Sequence, residues 1–301
     1  MPNTFVDITT IRELHKLYDC PAPLHPMVSF LSLQEISREN FPTQETAFRL
    51  GFYAVYLKQL KGSMKYGRSQ YDFDEGTLVF TAPGQAISTQ RYLSYDDGWG
   101  LFFHPDLLYH TDLGKKINQY SFFQYEANES LHISEEEKKI LLQCTQNIIR
   151  EYSQNIDKHS QGLIVSNIEL LLNYCSRFYD RQFLTRTKVN HDMVQQFESA
   201  LLTYFSQDSL INTGLPDVKY FASILNLSPN YLSDLLNKHT GKTTQEHIHL
   251  QLVEKAKYLL WGSNKSISEI AYDLGFEHPS HFTKIFKTKV GKSPTEFRIL
   301  E

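Results

Sequence analysis

Residues Ile267–Arg298 read ISEIAYDLGFEHPSHFTKIFKTKVGKSPTEFR. Ser266, just before this run, has Glu269 three residues on, the spacing at which a hydroxyl and a carboxylate satisfy each other's backbone amides at a helix start. Ile267, Ile270, Ala271 and Leu274 then form one apolar stripe. Gly275 marks its end, because glycine readily adopts the left-handed conformation that closes a helix. The turn is tight, and Pro279 suits the first turn of a second helix. There Phe282, Ile285, Phe286 and Val290 face inward and leave Ser280, His281, Lys284 and Lys287 outward. Two helices so joined, the second with a basic outer face, have the form of a helix-turn-helix.

The same pattern occurs once before, 49 to 50 residues upstream. Val218, Phe221, Ala222, Leu227, Pro229, Leu232, Leu235, Leu236, Gly241 and Lys242 fall opposite Ile267, Ile270, Ala271, Phe276, Pro279, Phe282, Ile285, Phe286, Gly291 and Lys292. Agreement in size and polarity over this length marks an internal repeat. Val218–Leu225 is the expected support helix of the first copy, and Ser228 caps a helix that carries Asn230, Ser233, Asp234 and Asn237 outward. Between the copies, Ile248, Leu252, Ala256, Leu259 and Leu260 share one face of a linker helix. At 1.5 Å per residue that rod is roughly 25 Å long. It suits holding two reading helices about one DNA turn apart, roughly 34 Å along one face of the duplex.

At these residues the chain resembles the AraC/XylS family of transcription regulators. Ala271, Gly275, Phe276, Phe282, Phe286, Lys287, Gly291, Pro294, Phe297 and Arg298 stand at the places expected of that family's C-terminal signature. The resemblance implies a monomeric DNA-binding unit of seven helices whose two recognition helices enter successive major grooves. It implies that Asn230, Ser233 and Asp234 in the first helix, and Ser280, His281 and Lys284 in the second, sit where base edges are touched. Lys284 can donate to guanine, Asn230 can pair with adenine, and Asp234 can accept from cytosine N4. Asp234 reads equally as a group that only caps or repels. Lys238, Lys242, Lys287, Lys289 and Lys292 are expected phosphate contacts, with backbone amides at helix N-termini.

The formal net charge of -4 argues against coating nucleic acid by bulk electrostatics, so binding must come from a local basic surface. From His278 to Lys292 there are Lys284, Lys287, Lys289 and Lys292 and no Asp or Glu. That surface is present.

The first third differs. Met27–Leu33, Phe48–Lys58, Thr77–Thr81 and Gly100–Phe103 are strand-like, broken by turn pairs such as Glu75-Gly76, Pro83-Gly84 and Asp97-Gly98. A short helix precedes them at Thr10, with Glu13 at capping-box spacing. Two helices follow: one capped by Ser134 with Glu137, and one over roughly Gly162–Tyr179. Their apolar stripes suit covering the β unit or pairing with a second subunit. The strand spacing, TAPGQ (Thr81–Gln85) and LFFHPDLL (Leu101–Leu108) resemble a cupin-like regulatory domain. That resemblance implies a small-molecule effector bound inside a barrel, with Phe52, Tyr53, Tyr56, Tyr66, Tyr71, Phe73, Phe80, Trp99 and Phe102 as pocket candidates or as plain core.

The expected fold is therefore α+β in two domains. Residues 1–185 form a cupin-like β-barrel (about 1–130) with a helical pair (about 134–181), and residues 191–301 form an all-α DNA-binding domain of two helix-turn-helix units joined by a linker helix. The polar run Thr185–Asn190 is the expected linker. The expected function is a sequence-specific transcription regulator, activation being the commoner family behaviour. Expected partners are duplex DNA, RNA polymerase, a second copy in a homodimer and a small-molecule effector.

Two other readings stay open: a constitutive regulator whose β domain only dimerises, and a cupin enzyme with an accessory helical domain. No catalytic or metal-binding residue is singled out, and no cofactor is expected. His104 and His110 stand outside the strands, and His247 and His249 point apart on a helix. Cys20, Cys144 and Cys175 lack the close pairing of zinc or disulfide frameworks. With no long apolar run and no leader-like N-terminus, a cytoplasmic protein without a membrane partner is expected.

Overall fold

The computed structural model describes residues 4–36, 46–59, 76–88, 97–206 and 210–299. Contacts divide the chain into two units, Met1–Arg186 and Thr187–Glu301. The first contains β1 (Thr4–Ile8), α1 (Ile11–Leu17), β2 (Val28–Ser32), β3 (Thr46–Leu50), β4 (Tyr53–Gln59), β5 (Gly76–Thr81), β6 (Ala86–Ser88), β7 (Asp97–Phe103), α2 (Asp112–Lys116), β8 (Leu131–Ile133), α3 (Glu135–Tyr152) and α4 (Ser160–Thr185).

The run 48–58, read from sequence as one strand, is two strands in different sheets. Gly51 is where the chain crosses between them. Its amide donates to the Ile8 carbonyl at 2.8 Å, and a Cβ at this position would stand 3.0 Å from the Thr9 backbone. The close approach of two backbones breaks the strand there. β1 pairs parallel with β3, and β3 antiparallel with β6, while the second sheet runs β2-β7-β4-β5-β8 and is antiparallel throughout. Among the described residues neither sheet closes on itself. The barrel expected from sequence is corrected to two open sheets sharing a core.

Side chains alternate across the five-stranded sheet. Tyr56 and Phe102 point to the side where Ile8, Ile11, Leu14, Phe48, Leu50 and Phe52 form one buried cluster with them. Tyr53, Phe80 and Trp99 point the other way. There Phe80 meets Phe122 at 4.4 Å and Tyr179 of α4 at 6.1 Å between ring centroids. The capping boxes expected at Thr10 and Ser134 both form.

A polar clamp holds the end of α4 on β8. The His132 amide donates to Gln182 Oε1 at 2.8 Å, and Gln182 Nε2 donates to the Ser130 carbonyl at 3.1 Å. Arg181 donates to the His132 carbonyl at 2.7 Å and to Glu137 Oε2 at 2.8 Å. Gln182 is buried, so these bonds offset the desolvation of its amide.

The second unit contains α5 (Thr187–Ser206), α6 (Leu210–Thr213), α7 (Val218–Leu225), α8 (Pro229–Thr240), α9 (Thr244–Gly262), α10 (Ile267–Asp273), α11 (Pro279–Val290) and α12 (Pro294–Ile299). Among the described residues there are thus eight helical segments where the resemblance implies seven, α6 being a single turn. The polar run expected as a linker is helical on both sides of Arg186, where α4 gives way to α5. The unit's core holds Phe197, Phe221, Leu232, Leu235, Leu236, Ile248, Leu252, Ala256, Ile270, Phe282 and Phe286, all buried. No described helix is long and apolar enough to cross a membrane.

Candidate nucleic-acid interface

The two sequence repeats become two matched pairs of helices, α7–α8 and α10–α11. Both support helices close in the same way. Asn226 (φ 53) and Gly275 (φ 84) adopt the left-handed conformation, and the next residue returns a hydrogen bond across the turn. Leu227 N–H donates to the Ala222 carbonyl at 2.9 Å, and Phe276 N–H to the Ala271 carbonyl at 3.0 Å. Leu227 and Phe276 are buried, which fixes the angle at which the next helix leaves. Asn226 serves where the second copy uses glycine because a short polar side chain tolerates this conformation.

The turns then differ. Ser228 caps α8 through the Tyr231 amide at 3.2 Å, with Pro229 in its first turn. His278 stands at the start of α11 without a side-chain capping bond, and the turn is one residue longer. That insertion explains the change of repeat spacing from 49 to 50. The other helices from α7 to α12 are capped by Asp217, Thr243, Ser266 and Ser293, the last three with a reciprocating glutamate at the third helical position. In place of a capping side chain, the His281 amide closes on the His278 carbonyl at 3.0 Å, and Pro279 has no N–H to satisfy.

Each candidate base reader has a defined place. Ser280, His281 and Lys284 are exposed on α11, together with the phosphate candidates Lys287 and Lys289. On α8, Asn230, Ser233 and Asp234 are half-buried, and Lys238 is exposed. The Ser233 hydroxyl donates to the buried Thr244 Oγ1 at 3.1 Å, tying α8 to α9. Lys242 and Lys292 are exposed just after α8 and α11, at equivalent places in the two copies. Glu296 lies near Lys287 and Lys292. Its carboxyl is held below the usual range, first by the Ser293 backbone amide and Ser293 hydroxyl, then by these two lysines.

Sequence reasoning missed His249 of α9. A shallow groove of about 310 Å³ beside α11 is lined by His249, His281, Lys284, Ile285, Thr288 and Lys289. Burial pushes the His249 imidazole below its ordinary pKa, and Lys289 adds to the effect. It shares a 2.9 Å hydrogen bond with Gln245, whereas His247 turns to Thr240 Oγ1 at 2.8 Å, so the two histidines do not converge. The alternation His247-x-His249 on a helix was visible in the sequence; its neighbourhood to Lys284 was not. Among the described residues no group of three His, Cys, Asp or Glu is placed to hold a metal ion.

Residues 221–299 match the family model described as a helix-turn-helix domain. The C-terminal region is a helix-turn-helix domain of the AraC type. Among curated proteins, the uncharacterized HTH-type transcriptional regulator YfiF of Bacillus subtilis is 32% identical over 165 residues, covering 54% of this chain and 48% of YfiF. The Msm operon regulatory protein of Streptococcus mutans is 38% identical over 81 residues, covering 27% of this chain and 29% of that protein. The chain thus spans less than two thirds of the length of these curated relatives. Among solved structures, the C-terminal domain of AraT, a response regulator from Geobacillus stearothermophilus, is 28% identical with a TM-score of 0.32, covering 36% of this chain and 85% of that one. Within the AraC-type domain, the match begins at Phe221 in α7 and ends at Ile299 in α12, so it includes both α8 and α11.

The effector-pocket candidates fall outside this domain. Phe52, Tyr56 and Phe102 lie in the core cluster on one side of the five-stranded sheet, with Phe102 edge-on to Phe52 at 6.1 Å and to Tyr56 at 5.4 Å. Tyr53, Phe80 and Trp99 lie on the opposite side, so the sheet itself separates the two sets. Tyr66, Tyr71 and Phe73 lie outside the described residues.

Proposed function

We propose that the protein is a transcription regulator that binds duplex DNA through α8 and α11, one in each of two successive major grooves. The observation that carries this reading is the pair of equivalent helix-turn-helix units, closed by the same Ala222–Leu227 and Ala271–Phe276 bonds, with exposed lysines after or along each second helix. A linker helix of 19 residues stands between them, roughly 28 Å at 1.5 Å per residue. Lys284 reads a base edge with Ser280 and His281, while Asn230 and Asp234 read the second groove. Lys238, Lys242, Lys287, Lys289 and Lys292 neutralise phosphates.

The first unit is proposed as a cupin-like regulatory and dimerisation module that responds to a small molecule and leads, with RNA polymerase, to activation. Support for pairing comes from α4, where Leu163, Leu170 and Leu184 are exposed at 49%, 45% and 69%. Leu170 stands seven residues after Leu163 and Leu184 fourteen after Leu170, so the three share one side of the helix, with exposed polar Ser166, Asn173, Arg177 and Asp180 between them.

Selection of bound sequences from a random duplex pool, with wild-type protein and Lys284→Ala in parallel at fixed salt, tests the reading. The expected result is one motif spanning two adjacent major grooves, with information lost in only one half for the variant. A pool without enrichment overturns it.

A further inference from the structure

The 105–117 segment of the first unit folds into a cup against the start of β4. Tyr53 forms one wall, stacked on Phe103 at 5.2 Å and edge-on to Phe123 at 5.0 Å between centroids, so its ring is fixed from behind. Leu108 and Ile117 are buried at the base, and Tyr109 stands exposed at the rim. The cup is open to solvent and its volume is about 380 Å³. Sites for small molecules fall in a range of roughly 300–1,000 Å³.

The cup is built rigidly. A Cβ at Gly114 would run into the Leu108 carbonyl oxygen, so α2 lies against the preceding turn as closely as glycine permits. The Thr111 hydroxyl donates to the Leu108 carbonyl at 2.7 Å and accepts from the Gly114 amide at 3.1 Å. His110 sits at φ 62, a conformation uncommon for a residue with a side chain and often found at ligand clamps.

The polar groups around the cup are one-sided. Tyr53 offers a hydroxyl, His110 an imidazole and Lys115 an ammonium, and no carboxylate is among the described lining residues. Burial raises the Tyr53 pKa above its ordinary value, and the phenol is a donor at neutral pH in any case. Lys115 pairs with Asp112 at 2.9 Å, both largely exposed. So exposed a pair is weak, and the ammonium can turn to a better partner.

We propose that this cup binds a small aromatic carboxylate, its ring against Tyr53, Leu108 and Tyr109 and its carboxylate at Lys115 and His110. What binding does rests on the regulatory reading above. The cup's segment is fastened to α4 at two points, where Gln161 Nε2 donates to the Leu107 carbonyl at 2.8 Å and Lys116 pairs with Glu169 at 3.5 Å, and just beyond it the Tyr120 hydroxyl donates to Asn173 at 2.9 Å. Glu169 and Asn173 flank Leu170 of the exposed leucine stripe. A ligand that tightens the cup therefore shifts the helix proposed to pair with a second copy.

Calorimetric titration of the full chain with phenylacetate, acetate and the uncharged phenylacetamide tests the site. Phenylacetate is expected to bind saturably, and the other two at least tenfold more weakly. Three mild variants follow: Tyr53→Phe keeps the ring, Lys115→Gln keeps the stem, and His110→Gly suits the left-handed backbone. Lys115→Gln and His110→Gly are expected to weaken phenylacetate by about tenfold each, the scale of a lost hydrogen bond to a charged group. Tyr53→Phe is expected to weaken it less. Saturable binding left unchanged in Lys115→Gln and His110→Gly, equal affinity for phenylacetamide, or no heat of binding overturns the proposal. The titration uses no DNA, so its failure is separate from a failure of the DNA-binding reading, which only the duplex selection reports.

Discussion

The Phe276 amide closes on the Ala271 carbonyl at 3.0 Å, and this bond ends the support helix α10 in the second helix-turn-helix unit. It requires Gly275 at φ 84, and a Cβ there would stand 2.8 Å from the Leu210 carbonyl oxygen. Gly275→Ala is therefore expected to cost about 2 kcal/mol or more, since left-handed strain of roughly 1–2 kcal/mol adds to the backbone clash. Asn226→Gly, at the equivalent place, is expected to change stability by less than about 1 kcal/mol. Denaturant unfolding of the two variants checks the asymmetry; a neutral Gly275→Ala would contradict it.

The helix-capping glutamates predict an acid limit for the same region. Backbone amides of Thr243, Ser266 and Ser293 are the largest influence that lowers the pKa of Glu246, Glu269 and Glu296 respectively. A carboxylate with a depressed folded-state pKa contributes stability in full above its unfolded value of about 4.3 and loses it as pH falls through the folded value. Melting temperature is thus expected to fall as pH drops below about 5. A Glu246→Gln, Glu269→Gln, Glu296→Gln triple variant keeps amide caps and is expected to show a flatter profile; an equal slope would refute the assignment.

Removing phosphate contacts is expected to act on salt dependence and not on sequence preference. Lys287→Ala should lower the magnitude of the slope of log affinity against log salt by about 1 and weaken all sequences alike. Lys284→Ala should cost about 1–3 kcal/mol on the preferred site and relax one position of it. If Lys287→Ala altered the motif and Lys284→Ala only the slope, the two roles would have to be exchanged.

The exposed leucines of α4 predict an association equilibrium. Leu163→Ser with Leu170→Ser, both on the solvent side of the helix, should leave the fold intact and shift the sedimentation mass at micromolar concentration from dimer to monomer. A monomeric wild-type mass would remove the basis for this pairing.

The C-terminal region was legible from sequence because its determinants are local. Capping residues, left-handed closures and apolar stripes act within one or two helical turns, and the repeat displayed each of them twice. Ser266, Glu269, Gly275 and Pro279 therefore stand where their types predicted. Ser233 is different: its position on the outer side of α8 was readable, but its bond to Thr244 depends on how α9 folds back.

In the first unit the strands were largely visible and their arrangement was not. Pairing β4 with β7 sets residues more than forty apart side by side, as in Tyr53 opposite Phe103, and no local pattern records such a register. Strand alternation then put Tyr56 and Trp99 on opposite sides of one sheet, dividing aromatics that looked like a single set. The cup at Tyr53 is also a product of folding, since it joins a strand end to a turn and a short helix far along the chain. The sequence alone determined how α7 to α11 begin and end, because hydrogen-bond capping and side-chain periodicity are local. Only the tertiary structure decided which residues share a surface, because that depends on sheet register and on contacts across long stretches of chain.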